Sequence, residues 1–122
     1  MTLASLIEPY VGRIGGLISA LHAVQHEHGF LPDETEAEAA RMFNLSRAEV
    51  KGVISFYHDF TNKPKGKAVI RLCAAEACQA VGGRELIADV EKKFGLKMGE
   101  TSASGDVTLE PVYCLGLCST AP

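Results

Sequence analysis

Three stretches in the first half of the chain carry apolar residues at the spacing of an α-helix. The first covers residues 17–28 and is followed by glycine and proline, which commonly end helices. The second opens near Asp33 and ends near Asn44, and the third follows the capping-box sequence that begins at Ser46. We therefore expect residues 1–61 to form a helical lobe of about three helices.

The second half has a different pattern. Residues 62–67 are basic and contain proline and glycine, which predicts a linker. Residues 68–73 are short, apolar and β-branched, as in a buried strand, and a helical pattern that stops at Gly95 follows. Alternation over residues 106–114 predicts a second strand. Strand, helix, strand order favours parallel strands and an α/β fold for residues 68–122, with α+β organisation overall.

Four cysteines are set as Cys73-x4-Cys78 and Cys114-x3-Cys118. The predicted strands end at Cys73 and Cys114, with Cys78 in the next loop, so we expect the four thiols to converge at one edge of the sheet. A [2Fe-2S] cluster needs two thiolates on each of two irons, which these pairs match. On spacing alone a structural zinc site remains an alternative. Arg71 is expected to face away from Cys73 along the first strand.

Composition narrows the classes of function. The chain is 47% hydrophobic and 22% charged with a net charge of -3, which is typical of a soluble globular protein and argues against nucleic acid or anionic lipid as a partner. No apolar stretch reaches the roughly 20 residues of a membrane span, and the N-terminus lacks the features of a secretory signal. We expect a cytoplasmic protein without membrane insertion, and in that compartment paired cysteines favour a metal or cluster over disulfides.

Five motifs spread over nearly the whole chain point to one family. They are LHAVQ at 21–25, GFLP at 29–32, VISFY at 53–57, PKGK at 64–67 and CLGLC at 114–118. With these motifs the sequence resembles the thioredoxin-like [2Fe-2S] subunits that accompany an NADH-oxidising flavoprotein in respiratory complex I, NAD-linked hydrogenases and NAD-dependent formate dehydrogenases. Residues 55–60 and 75–79 most resemble the gamma subunit of a molybdenum-containing formate dehydrogenase. The zinc-stapled interaction module is thereby the weaker alternative.

The resemblance implies a division of labour. Cys73 and Cys78 would bind one iron and Cys114 and Cys118 the other, in a thioredoxin-like lobe at residues 68–122. The helical lobe would dock on the flavoprotein, which carries FMN and binds NADH, while formate is oxidised elsewhere in the complex. The chain is then expected to be a non-catalytic electron-transfer subunit of an oxidoreductase, with no substrate site of its own.

Family members continue past the last cysteine into further strands. Here Cys118 lies four residues from the end at Pro122. We therefore expect the thioredoxin-like lobe to be truncated at its C-terminus and the chain to be a fragment.

Overall fold

The computed structural model describes residues 2–122, which divide into two compact units, Met1–Pro64 and Lys65–Pro122. The first unit contains helices, and the second contains two strands together with helices. This architecture confirms the predicted fold class, a helical part followed by an α/β part. No helix within residues 2–122 has the length and apolar character needed to cross a membrane.

The helices of the first unit are α1 (Leu3–Ile7), α2 (Gly16–His28), α3 (Glu34–Phe43) and α4 (Arg47–Phe56), with a 3-10 turn (Glu8–Tyr10) after α1. The last three are the predicted helices, whereas the sequence pattern did not indicate α1. Asn44 ends α3 in the left-handed conformation, with φ of 55°. The capping box before α4 is complete, because the Glu49 N–H donates to the Ser46 hydroxyl and the Ser46 N–H donates to the Glu49 carboxylate.

The core of the first unit is made by the apolar faces of these helices. Its buried members are Ile7, Ala20, Leu21, Val24, Leu31, Ala39, Ala40, Val50 and Phe60. Fully burying a side chain the size of valine or leucine contributes about 1.5–3 kcal/mol relative to leaving it exposed. The helical spacing of these residues therefore explains why the unit folds as it does.

A side-chain amide fixes the segment that follows α4. Gln25 Nε2 in α2 donates to the carbonyl of Asp59 at 2.6 Å, and the N–H of Thr61 donates to Gln25 Oε1 at 2.9 Å. Phe60 lies between these two contacts and is 8% exposed. The LHAVQ motif thus holds the end of the SFYHDF stretch through backbone groups.

The second unit contains β1 (Ala68–Cys73), α5 (Glu76–Ala80), α6 (Gly83–Phe94) and β2 (Val107–Val112), followed by a 3-10 turn (Cys118–Thr120). The strands are parallel, as predicted, with Ala68 opposite Val107 and Cys73 opposite Val112. Helix α6 ends at Gly95, which has φ of 63°. The carboxyl ends of the two strands therefore lie side by side.

The other side of β2 is also paired. Gly99 donates to the Leu109 carbonyl at 2.7 Å, and Leu109 donates to the Glu100 carbonyl at 3.0 Å. The hydroxyls of Thr101 and Thr108 lie 2.8 Å apart at an antiparallel bridge. Strand β2 consequently lies between β1 and the segment 99–102, and its Leu109 is fully buried.

Candidate metal centre

The first cysteine pair lies where β1 meets α5. Cys73 is the last residue of β1, as predicted, but Cys78 lies inside α5 and not in a loop, so that prediction is wrong. The cause is a close approach at Gly83, the first residue of α6. A Cβ there would be 2.6 Å from the Cys78 carbonyl oxygen, so only glycine permits the contact. Cys78 is 7% exposed and is positioned by this contact.

The second pair lies beyond β2. Cys114 is two residues past the end of the strand, rather than at its end as predicted, and has φ of 103°. Cys118 opens the final 3-10 turn, and the two sulfur atoms are 3.5 Å apart. The N–H of Gly116 donates to Cys114 Sγ at 3.3 Å, with φ of 77° at the glycine. The CLGLC segment thus folds back on its own first sulfur.

The two pairs also interact with each other. Hydrogen bonds from the Ala75 backbone and then from the Cys78 thiol lower the pKa of Cys73, and a backbone hydrogen bond at Cys114 adds to this effect. The hydrogen bond to Cys73 raises the pKa of Cys78, as do burial and the charges of the other cysteines. The pKa of Cys118 is raised, first by its hydrogen bond to Cys114. All four thiols therefore belong to one site of the second unit.

The donor set suits a group with two irons. Within the described residues, no three or more His, Cys, Asp or Glu side chains are placed to hold a metal ion as they stand, and the thiols are gathered as two hydrogen-bonded pairs. Four neighbouring thiols resist losing their protons together unless positive charge is present, and metal ligation supplies that charge. Two irons that each take two external thiolates match this arrangement.

A cavity of about 160 Å³ opens beside Cys73, Cys78 and Cys118. Its remaining lining is mostly apolar, with Arg71 as the one charged side chain, and comprises Arg71, Leu72, Leu86, Leu115, Leu117, Thr120, Ala121 and Pro122. The expectation that Arg71 faces away from Cys73 is wrong, because residues two apart on a strand lie on the same face. The cavity thus combines thiols, leucines and one guanidinium.

Glu110 is the functional candidate that sequence reasoning missed. It lies opposite Arg71 in the parallel ladder, with Oε2 3.2 Å from Arg71 Nε, and its Oε1 is 2.5 Å from Lys65 Nζ. Burial raises the pKa of Glu110, but the ion pairs with Lys65 and Arg71 outweigh it, so the net pKa is lowered. Glu110 is therefore a carboxylate at neutral pH. Only the strand register, which sequence does not give, would have identified it.

Comparison with known proteins gives the same picture. The sequence matches the thioredoxin-like [2Fe-2S] ferredoxin family over residues 3–122. It is 36% identical over 106 residues to a subunit of NADH-quinone oxidoreductase from Aquifex aeolicus, covering 87% of this chain and 66% of that protein. The corresponding values are 36% over 105 residues, 86% and 63% for the Escherichia coli protein of the same name, and 35% over 114 residues, 93% and 63% for NADH-quinone oxidoreductase subunit 2 of Thermus thermophilus.

The chain thus spans just under two thirds of the length of these relatives. The family match covers nearly every described residue of both units, and the cysteine pairs lie within it. The resemblance inferred from the five motifs, and the [2Fe-2S] cluster as the cofactor, are confirmed, and the chain belongs to the thioredoxin-like [2Fe-2S] ferredoxin family.

Proposed function

We propose that the chain is an electron-transfer subunit whose Cys73, Cys78, Cys114 and Cys118 hold one [2Fe-2S] cluster. The observation that carries the proposal is the gathering of four thiols in one site as two hydrogen-bonded pairs. When bound, such a cluster accepts and releases one electron. A structural zinc ion, the competing occupant, would give the same chain a purely structural role.

The residues around the thiols suit this role. Leu86, Leu115 and Leu117 line the cavity and exclude water from it, which influences the reduction potential of a cluster. The Gly116 N–H directed at Cys114 Sγ stabilises negative charge on that sulfur. No acid, base or nucleophile is needed, because the role consists of holding and exchanging an electron.

We infer that the electron partner is a flavoprotein that binds NADH and FMN, in an assembly of the complex I type. The support is the name that the relatives carry, NADH-quinone oxidoreductase, together with 34–36% identity. A formate dehydrogenase or a hydrogenase is the alternative parent complex. The formate dehydrogenase alternative rests on residues 55–60 and 75–79 alone, so the relatives favour the complex I type.

The two units would have separate tasks in such an assembly. We propose that residues 1–61 dock on the flavoprotein, that residues 62–67 link, and that residues 68–122 carry the cluster. Phe56 and Tyr57 at the end of α4 are 73% and 41% exposed, and aromatic side chains of this kind are enriched in protein interfaces. Replacing Phe56 tests this part, since it should weaken docking without changing the cluster.

Spectroscopy and metal analysis test the cofactor assignment. Anaerobically purified protein is expected to be coloured, to contain two irons and two inorganic sulfides per chain, and to show an EPR signal only after reduction. Cys114→Ser should abolish or grossly alter that signal. A colourless protein that contains zinc and no sulfide would refute the electron-transfer role.

Co-purification separates the parent complexes. A tagged chain isolated from its own cells is expected to bring down an FMN-containing NADH-oxidising subunit. Membrane-bound quinone-reducing subunits in the same preparation would support the complex I type, while a molybdenum-containing subunit that oxidises formate would support the formate dehydrogenase alternative. Recovery of neither flavin nor NADH oxidation would contradict the partner assignment.

A further inference from the structure

A line of alternating charge leads away from the cavity beside the thiols. Arg71 lines the cavity, Glu110 pairs with Arg71 across the ladder at 3.2 Å, and Lys65 pairs with Glu110 at 2.5 Å. The Arg71 side chain is 52% exposed, whereas those of Glu110 and Lys65 are 21% and 24% exposed. The carboxylate is therefore the more sheltered member, and it holds the guanidinium on the face of β1 that bears Cys73.

Charge this close to a cluster acts on its reduction. Reduction adds one negative charge to a site that already has four thiolates, so a neighbouring cation stabilises the reduced form more than the oxidised form. A neighbouring carboxylate has the opposite effect. Arg71 and Cys73 are separated by two strand residues, about 7 Å along the backbone, which is within the screening length of about 8–10 Å at ordinary ionic strength.

Resting on the proposed function, we propose that Arg71 and Glu110 together set the reduction potential of the cluster. Arg71 raises the potential, and Glu110 lowers it while keeping the guanidinium at the cavity. Neither residue is a cluster ligand, so both can be replaced with the four cysteines intact. The pair thereby gives this chain a means of adjusting its electron affinity that is independent of its ligands.

The two residues should shift the potential in opposite directions. In an EPR-monitored redox titration, R71Q is expected to decrease the equilibrium constant for reduction about tenfold, or about 59 mV for a one-electron couple. E110Q is expected to increase that constant about threefold, since it removes the opposing charge. The double variant R71Q/E110Q should lie between the single variants, near the parent.

Lys67 provides a matched control for loss of one positive charge. Its side chain is 87% exposed, it lies 3.9 Å from Asp106, and it does not line the cavity. Six strand residues separate it from Cys73, about 20 Å, which exceeds the screening length. K67Q should therefore leave the potential unchanged.

The outcomes decide between the alternatives. Equal shifts in R71Q and K67Q, or shifts of the same sign in R71Q and E110Q, would overturn the inference while the parent's one-electron titration still supports the proposed function. If R71Q loses its cluster, E110Q alone decides, and an unchanged or lowered potential in E110Q overturns the inference. A parent chain without a reducible cluster overturns the proposed function, and this inference with it.

Discussion

The two units of the chain differ in how they bury side chains. Among residues 2–122, the largest fully buried side chains are Ile7, Leu21, Val24, Thr35 and Val50 in the first unit and Leu109 in the second. The second unit instead exposes large apolar side chains near its cysteines, including Tyr113 at 75%, Leu115 at 56% and Leu117 at 66%. The first unit therefore has a conventional core, while the second depends on a few contacts close to the thiols.

This difference suggests where the cluster matters for folding. Ligand bonds from β1, α5 and the segment after β2 would cross-link elements that share little apolar core. Metal-site binding energy of this kind contributes directly to folding. The comparison thus predicts that the second unit, and not the first, responds to loss of the cluster.

The largest expected effect is that of Cys78→Ser. It should remove or grossly alter the cluster and strongly reduce amide protection in β1, α5 and β2, because the ligands no longer tie these elements together. Protection in α2–α4 should remain. Hydrogen exchange by mass spectrometry, combined with visible absorption, measures both effects.

Leu21→Ala is the reciprocal control. Leu21 is fully buried in the first unit, so truncation should cost about 2–5 kcal/mol of that unit's stability and leave the EPR signal of the cluster unchanged. If β1 and β2 keep their parent-level protection in Cys78→Ser, the dependence of the second unit on the cluster is wrong.

An intermediate effect is expected from adding one methyl group at two glycines. Gly83→Ala places a Cβ 2.6 Å from the Cys78 carbonyl, so it should destabilise the second unit by about 1–3 kcal/mol and change the EPR line shape as Cys78 shifts. Gly52→Ala in α4 meets nothing within 4 Å and should stabilise the first unit by about 0.5–1 kcal/mol. Denaturant unfolding of each variant gives both values, and a silent Gly83→Ala would contradict the close approach.

The smallest effect concerns the capping box before α4. Hydrogen bonds from the Ser46 backbone and hydroxyl lower the pKa of Glu49 from its ordinary value of 4.5. A carboxyl with a lowered pKa in the folded state contributes stability above that ordinary value, and the contribution is lost as the pH falls through the folded pKa. Glu49→Gln, which can still accept the Ser46 N–H, should remove this acid-dependent part.

Amide exchange in α4 from about pH 7 to pH 3 measures the acid dependence. Parallel loss of protection in the parent and in Glu49→Gln would show that the capping carboxylate contributes nothing to it.

Features encoded by neighbouring residues could be predicted from the sequence. The Ser46 capping box, the Asn44 and Gly95 helix ends and the β1 boundaries follow from local rules, and all occur in the structure. Helix α5 could not be predicted in this way, since its five residues have no side-chain cap and its position depends on the contact at Gly83. Local sequence therefore accounts for the first unit better than for the second.

The candidate site shows the same limit. The pairing of the cysteines and the apolar CLGLC segment were available from spacing, and the orientation of Arg71 was too, had the two-residue period of a strand been applied correctly. Glu110 depends on the register of two strands far apart in sequence. The left-handed turn at Cys114 likewise arises from tertiary contacts.

The Gln25 amide has a consequence for the chain segment that it holds. By donating to the carbonyl of residue 59 and accepting from the N–H of residue 61, it makes the same two bonds that a peptide group of a parallel neighbouring strand would make to the chain on either side of residue 60. A helix side chain thus imitates one rung of a β-ladder. The backbone around Phe60 is consequently satisfied without belonging to a sheet, and an isosteric glutamate, which lacks the donor, could not replace the glutamine.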